Sequence, residues 1–344
     1  VVFALILAKM NETGEALTED SDEQRAILRQ NASWAQRTFN GEDENFNGIL
    51  DTGEDLDGDG KITRFILPSP PDIPKTKVIP TENKIEIYWA SNSEESIDPI
   101  SKEKDFEGYN IYKSKFAFDV SADADALSAQ ELIAKYDLPS NEYFFNTGFE
   151  EIRLEEPIFF EGDPTPYIYK YTIDNVQNGW QHVVSVTAFD RGDNENNLES
   201  LESSRLANLF RSFPGKPANE SIESTDPFVY PNPYYGVANW RGTSSFEEDR
   251  KIIFSNLPRN CVVRIYSPAG DLIDQFNHSG DYSGNDIRWF ETYSDPQSTV
   301  FSGGEHAWDL LSADNQIISR GIYTFSVEDL DDGKRTSGKF VIIK

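Results

Sequence analysis

Between Glu42 and Asp59 the chain carries eight acidic residues and no basic one. Such a run repels itself unless a cation screens it, so this stretch folds either as a solvated acidic turn or around bound positive charge. The imbalance extends to the whole chain, where 60 acids against 31 bases over 344 residues give a formal net charge of -29. Binding to a phosphate backbone is driven by Lys and Arg releasing counterions, so nucleic acid is not an expected partner. A surface this acidic favours solubility and cation association, and suits a saline habitat equally well.

The spacing within the run narrows the choice. Asp43-Glu-Asn-Phe-Asn-Gly-Ile-Leu-Asp-Thr-Gly-Glu54 places side-chain oxygens at positions one, three, five and nine (Asp43, Asn45, Asn47, Asp51). Position six is Gly48, position seven offers the main-chain carbonyl of Ile49, and position twelve is the carboxylate of Glu54. Hard oxygen donors at these intervals form the ligand pattern of a calcium loop, and the stretch resembles that of an EF-hand. Asp55, Asp57 and Asp59, with Gly60 and the main chain of Lys61, begin a second loop at once, but its twelfth place is Ile66. That site is weaker, or is completed by Glu54 or a distant acid. The expected cofactor is Ca2+. Asp22 to Phe39 supplies an entering helix, with Ile27, Trp34 and Ala35 near one face and Leu28 and Ala32 extending the stripe. The exit runs into Pro68, Pro70, Pro71 and Pro74, which oppose a second helix. Without a helix pair there is no groove to open, and the ion's expected role is to stiffen a junction between domains.

Aromatic content of 13% with one Met and one Cys points to a β-rich protein, and the length allows two or three domains. A single cysteine, Cys261, forbids an intrachain disulfide; in Asn260-Cys-Val-Val-Arg-Ile265 it reads as an interior strand position rather than a reactive thiol. Three histidines (His182, His278, His306) leave little material for a zinc site or a Ser/His/Asp triad. Val1 to Ala8 is apolar but far too short to span a membrane, and it reads as the last strand of an upstream β domain. No transmembrane segment is expected.

Beyond the prolines the pattern turns to strands. Lys84-Ile-Glu-Ile-Tyr-Trp89 and Gly108-Tyr-Asn-Ile-Tyr-Lys113 alternate, and Val183-Val-Ser-Val-Thr-Ala-Phe189 is rich in β-branched residues. With Trp89 on the second strand, Tyr109-x-Ile111-Tyr112 on the third and Val184-x-Val186-x-Ala188 late, residues from Pro74 to about Asn208 resemble a fibronectin type III sandwich. The tyrosine that family places two residues before Val184 is His182 here, which puts its corner hydrogen bond in question. Between Lys115 and Pro166 the module carries a long excursion, with a helix expected over Ser121 to Lys135 and an aromatic run at Tyr143-Phe-Phe145. This excursion is a candidate for partner contact, or equally a lid on the module's own core.

After a second proline-rich stretch, Phe213-Pro-Gly-Lys-Pro217, come Tyr230-Pro-Asn-Pro233, the hairpin Ile265-Tyr-Ser-Pro-Ala-Gly-Asp271, Ser319-Arg-Gly-Ile-Tyr323 and Lys339-Phe-Val-Ile-Ile-Lys344. Together these resemble the Ig-like C-terminal domain of type IX secretion cargo, and are similar to the Ig-like domain of flagellar hook-capping proteins. The resemblance implies export across the outer membrane of a Bacteroidota-like bacterium, with this domain as address tag or surface anchor. Tyr266, Trp308 and Tyr323 are its expected core aromatics. The stretch from Asn277 to Ser302 is longer than a minimal sorting domain needs and points to a resident structural role.

The expected fold is therefore mainly β: tandem Ig-like and fibronectin type III-like sandwiches with a short N-terminal helix and a calcium-binding loop. Residues 1–40 end an upstream domain and add the helix; 41–66 form the calcium loop; 67–76 are a linker; 77–213 the first sandwich; 214–225 a linker; 226–344 the second. The expected function is that of a non-catalytic secreted or cell-surface protein, structural or adhesive. Its partners would be further copies or other surface proteins, and the secretion machinery. Two alternatives stand beside it. The chain could be the accessory region of a large secreted hydrolase, or a polysaccharide binder using Trp89, Trp180 or Tyr143 to Phe145. No acid pair for glycoside hydrolysis can be chosen from 60 candidates, because their separation in space decides.

Overall fold

The computed structural model describes residues 20–56, 58–99, 102–115, 123–139, 141, 145–192, 198–219, 226–236, 251–287 and 299–343. Val1 to Ala8, Asp57, Tyr143 and Phe144 lie outside them, as do residues 220–225 of the second linker and 288–298 of the long middle stretch. The fold is mainly β, with tandem sandwiches and a short N-terminal helix. One compact unit takes the chain up to Asp72 together with Ser93–Glu107 and Phe189–Ser203. The other takes Ile73–Asn92, Gly108–Ala188 and Ser204–Lys344.

Helix α1 spans Asp22–Asn40. Ser21 caps its start by accepting the Gln24 N–H at 3.2 Å, and the Gly41 N–H closes its end on the Arg37 carbonyl at 2.9 Å. Ile27, Trp34 and Ala35 are half-buried, and Leu28 is exposed.

The first sandwich is built from β1 (Thr76–Thr81), β2 (Lys84–Trp89), β3 (Phe106–Ser114), β4 (Gln130–Asp137), β5 (Arg153–Phe160), β6 (Asp163–Asp174), β7 (His182–Asp190) and β8 (Leu209–Phe213). The order is β1-β2-β6-β5 in one sheet and β4-β3-β7-β8 in the other. Alternation decides which faces meet: in β2, Ile85, Ile87 and Trp89 point inward and are fully buried. Trp89 packs on Tyr109 and Tyr169 at centroid separations of 5.7 and 5.6 Å, and Phe149 packs on the same two tyrosines at 5.7 and 5.6 Å. At such a position Trp89 is core and offers no surface to a sugar.

Within the helix expected over Ser121 to Lys135, the described residues form only α2, Asp123–Ser128, and Gln130 to Lys135 belong to β4. Its backbone is recruited by β3, with Tyr109 opposite Tyr136 and Lys113 opposite Glu131, and that ladder outweighs the helical propensity of its Glu, Leu and Ala residues. His182 answers the question of the corner. It is buried, and its Nε2–H donates to the Gln177 carbonyl at 3.2 Å, so an imidazole makes the return bond to upstream backbone.

The second sandwich comprises β9 (Phe228–Tyr230), β10 (Tyr234–Tyr235), β11 (Ile252–Ser255), β12 (Asn260–Tyr266), β13 (Leu272–Ser279), β14 (Thr299–Phe301), β15 (Glu305–Trp308), β16 (Gly321–Asp329) and β17 (Arg335–Ile343). One sheet runs β10-β17-β16-β12-β13 and faces β15-β11-β9. Phe254, Cys261, Val263, Ile265, Trp308, Tyr323, Phe325 and Phe340 form its core. Burial pushes the Cys261 thiol up to about 12, which keeps it protonated and inert. Tyr266 departs from expectation: alternation along β12 turns it away from Ile265, and it is half-buried.

Candidate functional site

The acidic loop is organised by its own backbone. Asp43 accepts the N–H groups of Asn47 and Gly48 at 3.0 and 2.9 Å, and Glu54 accepts those of Glu44 and Asp51 at 3.0 and 2.8 Å. Gly48 has φ 77°, a conformation in which a side chain is strained, and this lets its N–H turn toward Asp43. Asn45 and Asn47 each donate an amide N–H to Asp51 at 2.7 Å. Ile49 lies at the loop's exposed tip. In the second loop Asp55 accepts from the Gly58 and Gly60 N–H groups, and Asp59 from that of Lys61.

Glu42, which the ligand spacing passes over, joins the two loops. It is 2% exposed, and its two oxygens accept the N–H of Leu56 at 2.8 Å and of Thr63 at 2.7 Å. Two acids of the ligand pattern are buried with it, Asp43 at 2% and Glu54 at 6% exposure. Buried carboxylates, oxygen donors at the calcium intervals and the Gly48 turn fit a hard cation. Among the described residues no group of three or more His, Cys, Asp or Glu side chains is gathered for a metal ion.

The same unit holds a second concentration of acids. A cleft of about 270 Å³ is lined by Pro71, Asp72, Ile97, Asp98 and Asp105. Burial first, then Asp190 and Asp98, pushes the Asp105 carboxyl up to about 6.

In the other unit the two sandwiches share structure. Strand β14 pairs in parallel with β8, Thr299 opposite Arg211 and Phe301 opposite Phe213, so a strand of the second sandwich extends a sheet of the first. The Phe213 and Phe301 rings stack at 4.3 Å and 2°. Residues 214–219, read from sequence as linker, are bonded into this seam. The Gly179 N–H donates to the Pro214 carbonyl at 2.8 Å, the Gly304 N–H to Lys216 at 3.0 Å, and the Arg259 N–H to Asn219 at 2.9 Å.

Glu305 is the polar centre of the seam, 2% exposed. Its carboxylate accepts the Lys216 N–H at 3.1 Å, the Ser255 hydroxyl at 2.8 Å and the Tyr230 hydroxyl. Burial pushes Glu305 up against the pull of these donors, while burial and Glu305 together push the Tyr230 phenol up. The Tyr230 ring lies where a Cβ on Gly179 would stand, 2.4 Å away, so only glycine permits this contact.

The four motifs of the C-terminal resemblance are gathered in one sandwich. Tyr230 ends β9; Asn232 accepts the Val341 N–H at 3.1 Å and donates to Lys339; the hairpin turns between β12 and β13; Gly321 opens β16; Lys339 to Ile343 lie on β17. None of the sequence motifs pointed to the partnership of Glu305 with Lys216, Ser255 and Tyr230.

No family model matches the chain, and no curated protein matches it. Among solved structures it is similar to PorZ, an essential bacterial surface component of the type-IX secretion system of Porphyromonas gingivalis, at 13% identity and TM-score 0.23, over 78% of this chain and 23% of that one. It is similar to dimeric latent PorU from Porphyromonas gingivalis at 14% identity and TM-score 0.22, over 80% and 20%. A two-domain fibronectin type-III segment of chicken tenascin matches at 10% identity and TM-score 0.22, over 78% and 99%. The chain spans less than a quarter of the length of the two Porphyromonas proteins.

Proposed function

We propose that this chain is a non-catalytic structural segment of a secreted or cell-surface protein, in which the second sandwich stays in place as a building block. The observation that carries this reading is the seam. A parallel strand, a stacked Phe pair and the Tyr230 ring seated over Gly179 fasten the second sandwich to the first, with Glu305 holding Tyr230 and the Lys216 backbone in place. A discarded address tag has no use for such a fastening. The type IX address rests on the sequence motifs, which fall together in this sandwich. Among the described residues no helix is long and apolar enough to cross a membrane.

The acidic loop binds Ca2+ in this proposal. Asp43, Asn45, Asn47, Asp51, Glu54 and the Ile49 carbonyl would hold one ion; Asp55, Asp57, Asp59 and the Lys61 main chain would contribute to a second. Bound calcium would offset the mutual repulsion of the carboxylates and stiffen the loop.

The intact mass of native protein recovered from cells tests the resident role. A species that includes Lys344 is the expected result; one ending between Phe213 and Thr225 would overturn it. Sedimentation at high concentration tests structural association. A protein that stays monomeric with and without calcium would overturn the assembly reading.

A further inference from the structure

Two of the three histidines meet inside the second sandwich in a way no motif anticipated. His278 on β13 is 3% exposed and His306 on β15 is 1% exposed. Their Nδ1 atoms face one another at 3.3 Å. Outward, His306 Nε2 lies 2.8 Å from Asp286 Oδ2, and His278 Nε2 lies 3.0 Å from the Gly303 carbonyl oxygen.

Counting protons across these contacts is decisive. The Gly303 carbonyl only accepts, so His278 Nε2 carries a hydrogen. The contact between the two Nδ1 atoms needs one hydrogen, and the contact with Asp286 needs another. Two neutral imidazoles and a carboxylate hold two hydrogens; the three contacts require three. We propose that Asp286, His306 and His278 form a buried relay that holds one extra proton and thereby fastens the turn carrying β14 into the seam. The turn is fastened because Gly303 lies two residues after Phe301, the end of β14, and Gly304 donates across the seam to Lys216.

The surroundings place the charge on His306. Its ring is sandwiched between Phe276 at 4.0 Å and Tyr282 at 3.9 Å, near-parallel to both, and aromatic faces attract a cation. Asp286 supplies the opposite charge, and its 42% exposed side chain connects the relay to solvent through a cleft of about 300 Å³ lined by Asp274, Ile287 and Trp308. Burial and the neighbouring His306 drive the pKa of His278 down to about 3, consistent with its being the neutral ring. Burial lowers the pKa of His306 by more than Asp286 raises it; against that desolvation, the three contacts, which need three hydrogens, together with the Asp286 carboxylate and the two aromatic faces, carry the assignment of the imidazolium. Four more ionisable groups lie on the elements around the pair. Tyr282 lies beside Asp286, Asp309 follows β15, Asp274 accepts the Trp308 Nε1–H at 2.8 Å, and the Arg259 side chain borders Gly280.

The sign follows from linkage. Above about pH 7 both histidines of the unfolded chain are neutral, so folding takes up a proton and stability falls as pH rises. Below about pH 6 the unfolded chain protonates both rings, folding releases a proton, and stability falls as pH drops. Ring-nitrogen NMR of the histidine-labelled wild-type protein at pH 7 tests this directly. The expected spectrum has His306 protonated on both nitrogens and His278 on Nε2 alone; two neutral rings would overturn the proposal. Between pH 7 and 8.5 the wild-type unfolding constant is expected to rise about tenfold per pH unit more steeply than that of Asp286→Asn. Equal slopes would overturn it as well.

Discussion

The acidic loop and the seam both bury carboxylates, and they satisfy them by opposite routes. In the loop, Asp43 is bonded by residues four and five positions away, and Glu54 by residues three and ten away. In the seam, Glu305 is bonded by Ser255, Tyr230 and Lys216, which lie 50, 75 and 89 positions away. Local donors cost little chain entropy to bring together, so the loop's conformation is encoded where it stands. Distant donors meet only once β9, β11 and β15 have paired and the segment at Lys216 has closed on them, so their bonds report on the second sandwich and its seam rather than on one local turn.

The contrast is broken most severely at the aromatic stack. Phe213→Ala removes a ring that is 1% exposed and stacked on Phe301, and is expected to lower unfolding stability by about 3–5 kcal/mol in chemical denaturation. A loss below about 1 kcal/mol would show that the seam contributes little. Glu305→Ala leaves the Ser255 and Tyr230 hydroxyls without their buried acceptor. It is expected to cost about 3 kcal/mol, with the loss appearing in both sandwiches. If near-ultraviolet signals of the first sandwich stay unchanged through that transition, the two are not coupled.

Calcium sharpens the other side. At a hundredfold excess over its dissociation constant it should stabilise the folded chain by about 2.7 kcal/mol, and Glu54→Gln should abolish most of that response while leaving the seam intact. Absence of any melting shift between calcium and chelator would remove the ion from the loop.

Asp137 tests the local route without a metal. Its carboxylate accepts the N–H groups of Phe145, Asn146 and Thr147 and the Thr147 hydroxyl. Burial pushes its pKa up, but these donors outweigh it and hold the group below the usual carboxylate range. A depressed pKa stabilises the fold above the unfolded value near 3.9, and that contribution disappears as pH falls through the folded value. Asp137→Asn is expected to cost about 1–2 kcal/mol at pH 7 and nothing at the acid end of the same titration. A cost that persists there would mean packing, not charge, holds this loop.

Much of the fold was legible because it follows from period and punctuation. Alternation located β2 and β3, the apolar stripe from Asp22 to Phe39 marked α1, and Trp308 and Tyr323 were recognisable as core. β4 was missed because its residues favour a helix in isolation and become a strand only where β3 offers a ladder. Glu42 was passed over because it falls outside the ligand spacing, though it joins the two loops.

By itself the sequence determined the acidic loop, the helix before it and the alternating strands, since each depends on residues a few positions apart. Only the tertiary structure decided that β14 joins the sheet of β8, that Glu305 meets Tyr230, and that the Nδ1 atoms of His278 and His306 meet across 28 positions. The reason is physical. Periodicity records which face of an element is apolar, and says nothing about which distant element will cover it.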